Sequence, residues 1–228
     1  MQDIMRRSTF MGLATAIGMA LGAVPATAQV KYKEAPSTAE MVRAGKLPAV
    51  DQRLPEQPLV VPVVERIGDY GGTWRRAFLG PADANNYVRV VYDSLFRFSP
   101  DGAKIEPKIA LGAESSADFK VWTIRLRKGS RWSDGAPFGA DDIVFWNQQV
   151  VLNKDLTPTA PGWLRSPDGS VAKVEKIDDT QVRFTYTAPA TLFLTAVANQ
   201  DGADGTFAMF LPSHYLKKFH PDFAPKAE

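Results

Sequence analysis

Two pairs of adjacent aspartates carry the clearest potential for acid–base chemistry in this sequence. They are Asp141-Asp142 and Asp178-Asp179. A hydrolase that cleaves a glycosidic bond needs two carboxyl groups that flank the same bond. Adjacent residues of a helix do not face one atom, and the second pair falls in a predicted hairpin turn. We therefore interpret both pairs as cap and turn residues, and a secreted hydrolase is kept as an alternative function.

Other catalytic and metal-binding patterns are missing from the sequence. It contains no cysteine, and the spacing of its two histidines, His214 and His220, does not place them on one helical face. There is no Gly-x-Ser-x-Gly elbow, no His-Glu-x-x-His motif and no phosphate-binding glycine loop. The run from Asp201 to Gly205 resembles a calcium loop but lacks the acidic ligands that should follow, which favours a plain turn. We predict no catalytic residue, no metal and no cofactor.

The composition is that of an ordinary globular protein. The chain has 228 residues, of which 45% are hydrophobic, and a formal net charge of +2. This length allows one large domain or two small ones, with a core that needs no disulfide. Because no run of Lys and Arg forms a basic stripe, nucleic acid is not expected as a partner.

The N-terminus has the pattern of an export signal. Arg6 and Arg7 precede the uncharged apolar stretch Phe10–Val24, and the small residues Ala26 and Ala28 follow it. The alternative, a membrane anchor, is disfavoured because the apolar stretch is about 15 residues long and a span needs ~20. We predict cleavage after Ala28 and export to a bacterial periplasm, with the Sec and twin-arginine routes both open.

The periodicity of the remaining chain predicts a mixture of strands and helices. Strands are predicted over Thr73–Leu79 and Val121–Arg127, and a hairpin over Val171–Ile177 and Gln181–Thr187. Pro48–Pro62 is predicted to be an extended connector. Helices are predicted over Thr38–Ala44 with a Ser37/Glu40 capping box, Asn86–Arg97, Asp141–Leu152, Pro189–Ala198 and His214–Phe219 capped by Ser213. This order favours an α/β or α+β fold over a bundle or a sandwich.

Three segments resemble one protein family. Leu126–Phe145, which contains Arg131-Trp132-Ser133-Asp134-Gly135, is similar to the signature of the family 5 extracellular solute-binding proteins. Tyr92–Gly102 resembles the entry segment of that family. Leu211–Leu216 resembles its Pro-Lys-His-Tyr-Leu element, with Ser213 in place of the usual lysine.

The resemblance implies a fold, a domain organisation and a function. The fold would be α/β and periplasmic binding protein type II-like, with part of the first lobe only and the second lobe absent. Residues 1–28 would be a signal peptide, 29–66 an N-terminal helix and Pro-rich connector, and 67–228 the N-terminal part of the first lobe. We expect either a fragment or the product of a truncated gene, because family members are substantially longer.

The function implied by the resemblance is that of a binding protein rather than an enzyme. The chain would belong to the periplasmic receptor of an ABC importer, would bind a peptide or an oligosaccharide, and would be a monomer that docks on the permease subunits. A structural module without a small ligand is a further alternative.

The resemblance also suggests which residues contact a solute and which are structural. By family position, the candidate ligand contacts are Thr73, Trp74, Asn86, Tyr92 and Asp201, the last in the loop Asn199–Asp201. Aromatic faces can stack on peptides or sugars, so Tyr92 and Trp74 rank first. Three signature residues, Trp132, Asp134 and Asp142, are interpreted as turn and cap residues. Gly139 stands where the family usually has Thr as helix N-cap.

Overall fold

The computed structural model of the protein describes residues 32–80, 93–199 and 209–224. All of these residues belong to one unit, Tyr32–Glu228. The signal peptide predicted over residues 1–28 lies outside the described residues, so its cleavage after Ala28 stays a prediction. The domain boundary predicted at residue 67 also stays a prediction.

A short antiparallel ribbon precedes the main sheet. It consists of β1 (Phe96–Phe98) and β2 (Ile105–Pro107). The predicted helix over 86–97 was wrong at its C-terminal end, because its last two residues lie in β1, while residues 86–92 fall outside the described ranges. Phe96 is buried and Phe98 is 38% exposed, and both side chains lie on the same side of a strand. The turn predicted at Ser99–Gly102 is confirmed, since Gly102 N donates to the Ser99 carbonyl at 2.8 Å.

The main sheet has four antiparallel strands. They are β3 (Ala110–Ser115), β4 (Val121–Leu126), β5 (Lys173–Asp178) and β6 (Gln181–Thr185), and their order across the sheet is β3-β4-β6-β5. The alternation predicted from Val121 is confirmed, because Trp122, Ile124 and Leu126 are all buried. The predicted hairpin is confirmed as β5 and β6, which pair across the turn at Asp178.

The described residues contain five α-helices, all of them short. They are α1 (Pro36–Arg43), α2 (Val50–Arg53), α3 (Ala140–Phe145), α4 (Phe193–Ala198) and α5 (Ser213–Leu216). A π-helix, Trp146–Val151, continues α3 without a break, and a 3-10 turn spans Gly162–Leu164. Together α3 and the π-helix span residues 140–151 and so confirm the helix predicted over 141–152 except for its last residue, Leu152. The Leu152 N–H donates to the Asn147 carbonyl at 2.9 Å, which is the i→i+5 bond of a π-helix.

Several predicted helix boundaries were wrong. The Ser37/Glu40 capping box does not form, because Ala35 is the N-cap residue of α1. The hydroxyl of Thr38 donates instead to Glu34 at 2.9 Å. The connector predicted over residues 48–62 contains α2.

The last two helices are also shorter than predicted. Helix α4 begins at Phe193 rather than at Pro189. In α5 the N-cap residue is Pro212, so Ser213 is the first helical residue rather than the cap, and the helix ends at Leu216 rather than at Phe219.

The strand predicted over Thr73–Leu79 was also wrong. Residues 73–79 are described and adopt no regular structure. Their large apolar side chains are exposed, with Trp74 at 74% and Phe78 at 61%. A strand must form hydrogen bonds with a neighbouring strand. The residue types within the segment do not determine whether such a neighbour is present.

The core lies between the main sheet and the helices. Helix α3 packs against β5 and β6, and α4 packs against β1 and β2. Ile143 and Trp146 on the helical side, and Val182 and Phe184 on β6, are each at most 2% exposed. The predicted mixed α/β class is therefore confirmed. Within the described ranges, no helix has the length and apolar character needed to cross a membrane.

Candidate functional site

The signature segment is held by the carboxylate of Asp142. Its Oδ2 accepts hydrogen bonds from Trp132 Nε1 at 3.0 Å and from the Gly139 backbone N–H at 3.1 Å. Its Oδ1 accepts the backbone N–H of Ser213 at 3.0 Å. The residue is 3% exposed, so all three bonds are shielded from water. This geometry makes Asp142 a structural anchor with no free oxygen directed at a ligand site.

The turn predicted at Ser133-Asp134-Gly135 is confirmed. Gly135 has a φ of 88°, in the left-handed region that favours glycine. Asp134 Oδ1 accepts the Ala136 N–H at 3.0 Å, and Oδ2 lies 2.7 Å from His214 Nε2. The hydrogen bond from His214, followed by that from Ala136, lowers the pKa of the Asp134 carboxyl below its ordinary value.

Gly139 lies in close contact with the hairpin turn. A Cβ atom at this position would lie 2.7 Å from the Asp179 carbonyl oxygen. That same oxygen accepts the Ala140 N–H at 2.9 Å, which fixes its position at the start of α3. The close approach therefore leaves no room for a threonine side chain, which the family resemblance suggested as the usual residue here.

The two aspartate pairs lie at the start of α3 and in the hairpin turn, as predicted, and Lys176 links one pair to the other. Asp141 and Asp179 each contact Lys176 Nζ, at 2.8 and 2.7 Å. The hydrogen bond that Lys176 donates to Asp141, followed by the one it donates to Asp179, raises the pKa of Lys176. Asp178 Oδ1 accepts the Thr180 N–H at 2.7 Å within the turn. None of these four aspartates lines either of the two clefts described below.

A cleft of about 530 Å³ lies between α4, the 3-10 turn and the end of β6. We call it the aromatic cleft. Four aromatic residues line it, from four separate parts of the chain: Phe98, Trp163, Tyr186 and Phe193. Its polar lining residues are Arg165, Ser166, Thr195 and Asn199. An apolar, aromatic surface with a few polar groups is typical of small-molecule sites.

Ring stacking and a hydrogen bond hold the aromatic residues of this cleft in place. Trp163 stacks on the buried Trp146 of the π-helix, with ring centroids 6.2 Å apart and an interplanar angle of 8°. Tyr186 donates its hydroxyl hydrogen to the Trp163 carbonyl at 3.3 Å. Burial raises the pKa of the Tyr186 phenol, so this group is neutral near neutral pH. Trp163 is thus positioned by its packing rather than by a flexible loop.

The ligand residues predicted from sequence occupy different places. Thr73 and Trp74 lie on the exposed segment before residue 81 and do not line the aromatic cleft. The Arg76 guanidinium carbon lies 5.0 Å from the centre of the Trp74 ring. The other three candidates, Asn86, Tyr92 and Asp201, lie outside the described residues. Asn199, from the predicted loop, does line the cleft.

Three residues line the cleft but were not predicted from the sequence: Trp163, Tyr186 and Arg165. Tyr186 ends the alternation of β6, and this pattern indicates burial but no cleft. Trp163 follows a Pro-Gly pair, which indicates only a turn. Among the described residues, no group of three His, Asp or Glu side chains is arranged to hold a metal ion.

The fold and the signature place the chain in a class of binding proteins. Residues 104–223 match the family described as bacterial extracellular solute-binding proteins, family 5 Middle, and the chain belongs to this family. The predicted family is therefore confirmed.

Individual relatives include receptors for sugars and for peptides. The chain is 32% identical over 208 residues to the periplasmic alpha-galactoside-binding protein of Rhizobium meliloti, a match that covers 82% of this chain and 29% of the relative. The structure of an oligopeptide-binding protein OppA is similar with a TM-score of 0.77 and 42% identity, over 86% of this chain and 29% of that one. Periplasmic binding protein MelB from Agrobacterium fabrum C58, in complex with stachyose, is similar with a TM-score of 0.62 and 28% identity, over 87% and 32% of the two chains. The present chain thus spans about 30% of the length of each.

Proposed function

We propose that this chain forms part of the periplasmic solute-binding component of an ABC importer. In this proposal the aromatic cleft contacts a peptide or an oligosaccharide, and the receptor is a monomer that docks on the permease subunits. The relatives include binding proteins for an alpha-galactoside and for oligopeptides, and this supports both solute classes. Nucleic acid has no place in this function.

The observation that carries the proposal is the chemistry of the cleft lining. The stacked Trp163 offers a flat apolar face, which suits the apolar face of a sugar ring or the side chain of a peptide. Arg165 and Asn199 supply hydrogen-bond donors beside it, and Asn199 also supplies an acceptor. These groups can orient a neutral polar solute without requiring it to carry a charge.

The same lining argues against catalysis at this cleft. Among the described residues, the lining contains no Asp, Glu, His or Lys. Burial raises the pKa of the Tyr186 phenol, which moves its titration further from neutral pH. General acid–base chemistry therefore has no suitable proton donor or acceptor among these residues. We propose on this basis that the chain is not an enzyme.

The candidate residues predicted from the sequence remain a second set of proposed solute contacts, besides those of the aromatic cleft. Thr73 and Trp74 are exposed, as a solute contact requires, but they lie on a segment separate from the cleft. Asn86, Tyr92 and Asp201 stay proposals from family position. The test below therefore compares the two tryptophans directly.

The experiment is a calorimetric titration of the 228-residue chain with stachyose and, separately, with trialanine. We expect saturable binding to at least one of them with a Kd of about 1 mM or tighter. Trp163→Ala should weaken this binding about tenfold, as removal of a central aromatic contact does. The exposed Asn199→Ala variant tests the same cleft without disturbing the core, and Trp74→Ala tests the competing contact on the exposed segment. Absence of binding to both probes, or binding lost in Trp74→Ala and retained in Trp163→Ala, would reject the proposed site.

A further inference from the structure

A second cleft, of about 280 Å³, lies on the signature segment. We call it the arginine cleft. Three aromatic rings form its apolar wall, those of Trp132, Phe138 and Phe210. Their centroids lie 5.4 Å apart for Trp132 and Phe138, 5.2 Å for Phe138 and Phe210, and 6.0 Å for Trp132 and Phe210. This cleft shares no lining residue with the aromatic cleft.

The charged residues that line the arginine cleft all have the same sign. They are Arg53, Arg127 and Arg131, and no carboxylate lines the cleft among the residues that the structure describes. Arg53 is balanced nearby, because its guanidinium lies 2.6 Å from the carboxylate of Glu34. The other two arginines therefore determine the charge of the cleft.

Arg127 and Arg131 are hydrogen-bonded to backbone carbonyls but not to carboxylates. Arg127 donates to the Lys108 carbonyl at 3.0 Å and to the Gln57 carbonyl at 2.7 Å. Arg131 donates to the Gly135 carbonyl at 2.9 Å. In the part of the chain that the structure describes, neither guanidinium has an acidic side chain within ion-pair distance. Carbonyl dipoles fix the two side chains in place without neutralising their charge.

Partial burial makes the charge of Arg127 costly. Desolvation lowers the pKa of its guanidinium below the ordinary value. A partly buried cation without a counter-ion favours the binding of an anion. Charge-assisted hydrogen bonds to the anion replace the hydration that the cation lost on burial. The adjacent aromatic rings favour an anion that also carries an apolar body.

We propose that the arginine cleft binds a small aromatic carboxylate. Its carboxylate would accept hydrogen bonds from Arg127 and Arg131, and its ring would pack against Trp132, Phe138 and Phe210. The volume suits a single ring, and guanidinium groups match the planar geometry of a carboxylate. This site is independent of solute binding in the aromatic cleft, and either can fail without the other.

The test is a titration of the 228-residue chain with benzoate at constant ionic strength, followed by calorimetry. We expect saturable binding with a Kd of about 1 mM or tighter. Benzamide keeps the ring and removes the charge, and inorganic phosphate keeps a charge and removes the ring. Both should bind about tenfold or more weakly than benzoate if the charge and the ring are each needed.

Variants locate the binding within the molecule. Arg131→Gln removes one guanidinium from the cleft and should weaken benzoate binding about tenfold. Arg183→Gln, on the exposed side of β6, is the matched control and should bind as the parent does. Circular dichroism melts of both variants show whether each is folded. The proposal is overturned by absence of benzoate binding, by equal affinity for benzamide or phosphate, or by an unchanged affinity in a folded Arg131→Gln variant.

Discussion

The carboxylate of Asp142 accepts the backbone N–H of Ser213 at 3.0 Å, although the two residues lie 71 positions apart. The same carboxylate accepts the indole N–H of Trp132. Two of the segments by which the family was recognised, the signature and the Leu211–Leu216 element, therefore meet at one buried side chain. This contact gives a physical reason why the two segments occur together in one sequence.

Asp142→Asn should destabilise the chain by about 3 kcal/mol. The amide keeps one acceptor oxygen but places an NH2 donor where the other carboxylate oxygen accepted, so at least one buried N–H loses its partner and faces another donor. Urea unfolding followed by tryptophan fluorescence measures the free energy of unfolding. Asp141→Asn is the control: its side chain is 68% exposed, and little change is expected. Equal effects of the two variants would show that the Asp142 contacts do not anchor the fold.

Asp134→Ala should lower the melting temperature and leave solute binding unchanged. The variant loses the hydrogen bonds to Ala136 and His214. Asp134 does not line the aromatic cleft, so the dissociation constant measured there should not move. A tenfold or larger loss of affinity without a melting shift would instead make Asp134 a ligand contact.

Gly139→Ala should destabilise the chain by about 1–3 kcal/mol, because the added methyl group would overlap the Asp179 carbonyl and displace the hairpin turn. Gly68→Ala is a matched control, since a Cβ there meets nothing within 4 Å. Thermal melts of the two variants, compared at one pH, measure the difference. If Gly139→Ala melts at or above the temperature of the parent, the close approach at this position is not a constraint.

Lowering the pH should reduce the free energy of unfolding, because aspartates in tight turns become protonated. Asp168 accepts hydrogen bonds from the hydroxyl and the N–H of Ser170, which lower its pKa in the folded state. A depressed folded pKa adds stability above the unfolded value of about 3.9, and this stability is lost as the pH falls through the lower, folded value. Asp118 has the same relationship with Ser116 and Lys120.

The variant Asp168→Asn isolates the contribution of one such charge. It should be less stable than the parent near neutral pH, and the difference should shrink as the pH is lowered from about 4. Unfolding titrations at several pH values give this difference directly. A gap that stays constant down to the acid transition would mean that the charge of Asp168 does not contribute.

Local patterns predicted β4, the hairpin of β5 and β6, and the helical run from α3 into the π-helix. They did not predict β1, β2, β3 or α2, or most helix ends. Strand β4 was predicted because Trp122, Ile124 and Leu126 alternate within one short run. The strand expected over residues 73–79 was wrong, because a strand also requires a partner that its own sequence does not specify.

The aromatic cleft could not be predicted for a related reason. Phe98, Trp163, Tyr186 and Asn199 come from separate segments, and only the packing of α4 against β1 brings them together. The family resemblance located the turn around Asp134 and the cap at Asp142, because both depend on residues close in sequence. The steric reason for Gly139 required the position of the hairpin turn, which comes from a distant part of the chain.

The most direct test of the aromatic cleft as the solute site is to follow the tryptophan indole N–H signals by NMR during a solute titration. The chain has five tryptophans, and single Trp→Phe variants assign each signal. With stachyose or trialanine added to about 10 mM, well above the expected Kd, the Trp163 signal should shift in a saturable way. The signal of Trp74, which does not line the aromatic cleft, should not shift. A saturable shift of Trp74 with Trp163 unchanged, or no shift of any indole signal, would contradict the assignment of the aromatic cleft as the solute site.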